Sequence, residues 1–109
     1  MVVNPSMDGV VTFDAVDRSW RLQCGINALV LIETKIPDPL EVAALMQGKE
    51  STFETVRTGF WAALSDHHPE LTEADAGRLV THLGLAQAGA KLAQAMILAF
   101  PAIGEKVRP

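Results

Sequence analysis

The patterning of this chain predicts an α+β domain, with an N-terminal β-hairpin packed against a bundle of four to five helices. Two observations carry that prediction. Between Gly9 and Gln23 apolar and polar residues alternate with the two-residue period of half-buried strands, and from Gly25 the apolar spacing lengthens to that of helices. Helix-start signatures then recur at Asp38-Pro39, at Ser51 with Glu54 and at Thr72 with Asp75. A chain of 109 residues can bury one core without disulfides but not two. Its 49% hydrophobic and 20% charged content is that of a compact protein rather than a disordered one. The expected organisation is a flexible lead-in over residues 1–8, one domain over 9–101 and a polar tail over 102–109.

Each element has its own local reason. In "GVVTF", Val11 and Phe13 share one face, and in "RSWRLQ", Trp20 and Leu22 do the same. The connecting "DAVD", Asp14 to Asp17, is turn-like but lacks the Asn-Gly or Asp-Gly of the tightest hairpins. A lone hairpin is marginal in water, so its apolar face should pack on the helices that follow. Ile26, Leu29 and Val30 form a helical stripe, with Leu31 and Ile32 on other faces. A helix apolar nearly all round is expected at the centre of its domain. Glu33 falls near that stripe, as a carboxylate served by a local donor. Asp38 caps the next helix with Pro39 in its first position, and that helix stops near Gln47-Gly48. Ser51 is the expected cap of a helix whose stripe is Phe53, Val56, Phe60 and Leu64. Thr72 caps a fourth, striped by Ala76, Leu79, Val80 and Leu83 and stopped by Gly84. The last runs from Leu85 to Phe100, before Pro101.

Composition excludes several functions. With 13 acidic and 9 basic side chains, net charge -4, and its lysines dispersed, the chain lacks the clustered cations that gain from displacing phosphate counterions, so no nucleic-acid partner is expected. The most apolar window, Leu92 to Ile103, falls short of the roughly 20 residues a membrane span needs. "MVVNPSMDG" has no basic segment leading into an apolar run, so no secretory signal is expected. The single Cys24 forms no internal disulfide or cysteine-based zinc site. The expectation is a soluble protein of a reducing compartment.

No catalytic constellation stands out, and no cofactor is expected. There is no Gly-x-Ser-x-Gly and no phosphate-cradling glycine loop. Cys24 lies just before a helix start, where a thiol pKa can be lowered, but it reads as a small hydrophobe at a strand-to-helix corner. His67 and His68 are adjacent, whereas metal-binding pairs sit at i and i+4 on one helical face, and His82 is a whole helix away. Pro69 holds His68 extended, as suits a corner between helices. The pair is therefore expected in a solvated loop, and replacing both by alanine should shift stability by no more than about 0.5 kcal/mol.

The surface most suited to a partner is on the last helix. Leu85, Ala88, Leu92, Met96 and Ala99 face the core, while Gln87, Lys91 and Gln94 make the polar face. Leu98 points into that polar face and Ile97 borders it. The hairpin or the C-terminal tail could cover these two, or they could contact another polypeptide together with Lys91 and Gln94. The small residues Ala86, Gly89, Ala90 and Ala93 suit the close approach of a partner helix, or self-association. On this reading Leu98→Glu leaves the fold intact and weakens partner binding.

A hairpin with "WRLQCGINALVLIE" leads into "FETVRTGFWAALSDHHPELTEADAGRLVTHLGL" and an Ala-rich last helix ending in "LAF". The chain thereby resembles the tail assembly chaperones of tailed phages and gene transfer agents, some of whose members are labelled tail tube proteins. The likeness spans roughly Gly9 to Pro101. It rests on "ALVLIE" through Glu33, "FWAAL" at Phe60 to Leu64 and "HHPELT" at His67 to Thr72, none of them a catalytic signature. The resemblance implies a non-enzymatic factor in the bacterial host cytoplasm that holds the helix-rich tape measure protein, with tail tube subunits as further partners. The alternative is a structural tail component, a tube or connector subunit, but a tube subunit needs more long strands than the two short ones read here. A small metal-dependent enzyme using His67, His68 and His82 is a third class, which stoichiometric zinc or iron would reveal.

Overall fold

The computed structural model describes residues 10–47 and 52–99. Two antiparallel strands, β1 (Val10–Ala15) and β2 (Arg18–Gln23), precede five helices: α1 (Ile26–Lys35), α2 (Pro39–Met46), α3 (Phe53–Leu64), α4 (Glu73–Leu83) and α5 (Leu85–Ala99). The protein is thus the α+β hairpin-and-helices domain that its patterning predicts.

The strands pair in the register Val11–Leu22, Phe13–Trp20 and Ala15–Arg18. The alternation therefore puts Val11, Phe13, Ala15, Trp20 and Leu22 on one face, all buried. Only Val16 and Asp17 remain between the strands, both at positive φ (52° and 63°). A two-residue hairpin loop requires that left-handed geometry at both positions, which asparagine and glycine adopt easily and valine does not. The sequence conceals this tight turn because neither preferred residue is present.

α3 is the central helix, packing on β2 and on all four other helices. Its buried run includes Thr58, Gly59, Phe60, Ala62, Ala63 and Leu64. Small residues let neighbours approach from several sides. A Cβ on Gly59 would lie 2.7 Å from Leu45 Cδ2 and 2.9 Å from Leu92 Cδ2, so this glycine is where α2 and α5 close on α3. The Phe60 ring meets Phe13 of the hairpin at 5.7 Å between centroids. The core also takes in Leu22, Ile32, Leu92 and Met96.

The expectation of a central α1 is overturned. α1 buries Ala28 and Ile32, while Ile26 and Val30 face outward, as does Glu33. Ile26–Val30 and Ala28–Ile32 are equally regular stripes, and only the position of α3 selects the second. The expected stripe of α3 is likewise corrected at its start, because Val56, Phe60 and Leu64 are buried and Phe53 is not.

Caps follow the expected chemistry at two of the three helix starts marked in the sequence. Asp38 accepts from Leu40 N–H at 2.9 Å ahead of Pro39. Thr72 and Asp75 form a reciprocal box, Thr72 Oγ1 accepting from Asp75 N–H and Asp75 Oδ2 from Thr72 N–H. Those bonds from Thr72 hold the Asp75 carboxyl below the usual carboxylate range. Gly84, at φ 92°, stops α4 and leads directly into α5. At α3 the cap is Thr52 rather than Ser51, which lies outside the described residues. Thr52 Oγ1 accepts from Thr55 N–H, and Thr55 Oγ1 donates to Glu41 Oε2 at 2.9 Å, tying α3 to α2. The lead-in, Gly48, the helix end at Phe100-Pro101 and the polar tail also lie outside the described residues.

Candidate functional site

The histidine corner between α3 and α4 is structural, which corrects the expectation of a solvated loop. His68 is buried, and its Nε2 accepts the backbone N–H of Arg21 on β2 at 3.1 Å. Its ring lies 5.1 Å from that of Trp20, whose Nε1–H donates to Ala15 O at 2.8 Å. His67 Nε2–H donates to Gln23 Oε1 at 2.8 Å. Both rings therefore pin the hairpin to the corner. Burial, aided by Arg18, His67 and Arg21 and opposed by Glu70, pushes the His68 pKa below its ordinary value, which favours the neutral form that can accept. The missed signal lay in the hairpin: its backbone needs partners beyond the two strands, and a turn after a helix is within reach to supply them.

Cys24 is fully buried, and burial pushes its thiol up to about 12. The proximity of a helix start does not activate it, so it is the small hydrophobe the sequence suggests. His82 is exposed in the last turn of α4. Among the described residues no group of three or more His, Cys, Asp or Glu side chains is placed to hold a metal ion.

The proposed partner surface on α5 is divided by packing. Gln94 is exposed and Ile97 is 44% exposed. Lys91 is half-buried, with Nζ 5.8 Å from the centroid of the Phe13 ring, so it is partly spent on the hairpin. Leu98 is half-buried against the core, which corrects its assignment to the polar surface. Leu98→Glu would consequently disturb packing as well as surface. Leu85, assigned to the core, is 41% exposed instead.

A larger apolar surface forms where Leu85 meets the start of α3. Phe53, the first residue of α3, is 78% exposed, and with Val80 and Leu85 it lines a groove of about 550 Å³. The floor is the outer side of α4, where Ala74 and Gly77 carry almost no side chain. Arg57 and Arg78 also line the groove, and among the described residues no carboxylate does. Arg57 Nη2 reaches Glu73 Oε2 at 3.8 Å and Arg78 Nη1 reaches Asp75 Oδ1 at 2.8 Å, which sets both guanidinium groups beside α4. The second uncovered region is the outer face of α1, with Ile26 65% and Val30 51% exposed. Helical spacing hid both: Phe53 is in phase with Val56 and Phe60, and Ile26 with Val30, so sequence places them in stripes that read as core.

This arrangement defines a small α+β domain with an apolar groove edged by two arginines. No protein-family model, curated protein or solved structure matches the chain. No helix among the described residues is long and apolar enough to cross a membrane.

Proposed function

We propose that this chain is a non-enzymatic tail assembly chaperone of a phage or gene transfer agent, which binds tape measure protein and keeps it soluble in the bacterial host cytoplasm during tail assembly. The resemblance over residues 9–101 suggests the role. The observation that carries it is the groove of Phe53, Val80 and Leu85, an apolar recess of about 550 Å³ with Phe53 and Leu85 exposed. Contiguous exposed apolar surface marks sites that receive another chain, and an amphipathic helix laid in a groove is a common way to cover it. Binding of this kind needs no cofactor or turnover.

The test is co-expression with the tape measure protein of the same gene cluster, followed by size-exclusion chromatography and assay of finished particles for this chain. A soluble complex, with the chain absent from particles, supports the chaperone reading. Stoichiometric retention in particles makes it a structural tail component instead.

A further inference from the structure

The groove and the outer face of α1 are complementary to each other. The groove presents Phe53, Val80 and Leu85 beside Arg57 and Arg78, and among the described residues no carboxylate lines it. The α1 face presents Ile26 and Val30 with Glu33, all exposed. At about 100° per residue these three fall within roughly 60° of one another around the helix axis, so they form one ridge carrying an apolar pair and an anion. Ala28 and Ile32 hold the opposite side of α1 to the core, and Lys35 at its end bonds Glu73 of α4 at 3.1 Å, so the ridge is displayed on an anchored helix.

We propose that the groove receives the α1 ridge of a second copy of this chain. Ile26 and Val30 enter against Phe53 and Leu85, and Glu33 lies toward Arg57 or Arg78. A guanidinium has five N–H donors, so one carboxylate contact within its own chain exhausts neither arginine. Ridge and groove are different surfaces, so a one-way contact between them is heterologous. Two copies that exchange ridges close as a pair, and copies that do not close extend as a ring or an open chain. The inference concerns this chain alone and stands independently of the tail assembly reading.

Sedimentation velocity of the purified full-length chain over a wide concentration range tests it. The wild type is expected to self-associate with rising concentration. Phe53→Ser removes the groove's aromatic wall, and Val30→Arg replaces an apolar ridge contact by a cation that offsets Glu33 and faces the arginines. Each is expected to weaken association about tenfold or more while circular dichroism stays unchanged. Both positions are exposed, so the fold tolerates these changes. The decisive step mixes the two variants: one retains an intact ridge and the other an intact groove, so the mixture is expected to recover a heterologous pair that neither forms alone. A wild type that stays monomeric into the submillimolar range overturns the proposal. So does an assembly insensitive to both substitutions, or a mixture that recovers nothing. Tape measure binding by a strictly monomeric wild type would overturn self-docking while leaving the chaperone role intact.

Discussion

The hairpin side of the molecule and its α1–groove side are built on opposite terms. Around the hairpin, apolar side chains from both strands are buried, and the two histidines of the α3–α4 corner are bonded to β2 or its end. Across the groove and the α1 ridge, large apolar side chains stand in solvent beside charged groups. Stability therefore concentrates where α3, α5 and the strands meet, and the uncovered surface can change with little cost to the fold. Four substitution experiments and one titration sharpen or break that contrast.

The largest effect is expected at Phe60, which is fully buried and joins α3 to Phe13. Phe60→Ala should cost about 3–5 kcal/mol, read from chemical denaturation. A loss under about 1 kcal/mol would show that the hairpin does not share the helices' core. His68→Ala comes next, because it leaves the Arg21 N–H without its acceptor and opens space beside Trp20. It should cost about 1–3 kcal/mol. That replaces the near-zero change expected of a solvated histidine.

The same side chain gives the hairpin side a pH dependence. Burial lowers the His68 pKa in the folded chain, so the unfolded chain binds more protons in the window just below the ordinary value of 6.5. Its contribution is full above that value and is lost as pH falls toward the lowered native value. Thermal melts across roughly pH 8 to 5 should show stability declining at the acid end, and His68→Gln should reduce that slope. An unchanged slope would assign the decline to other groups.

The turn is a smaller and opposite case. Replacing Val16-Asp17 by Asn-Gly suits the positive φ of both positions and should raise stability by about 1 kcal/mol. No gain would mean that the unfolded chain or a neighbouring segment offsets the relief. The smallest effect belongs to the groove: Phe53→Ser should change stability by no more than about 0.5 kcal/mol, measured on the monomer. A larger loss would make Phe53 part of the core and remove the distinction between the two sides.

Much of the local structure is legible in residue types. Asp38-Pro39, Thr72 with Asp75 and Gly84 act over three or four residues, within which a side chain meets its own backbone whatever the rest of the chain does. The alternation of β1 and β2 was equally readable, because only one strand face holds Val11, Phe13, Trp20 and Leu22. Most of the candidate site was not. Ile97 and Gln94 were found on the surface, but Leu98 and Lys91 were drawn into packing, and the groove was unforeseen.

By itself, then, the sequence determined the hairpin, the helices, most of their caps and the inert setting of Cys24. Those depend on short-range hydrogen bonds and on period. Tertiary structure alone decided that α3 is central, that α1 turns Ile26 and Val30 outward, and that His68 closes onto Arg21 across 47 residues of chain. Periodicity states which residues share a face, but burial depends on whether another element arrives to cover it. On a helix as apolar as α1, more than one face would have served.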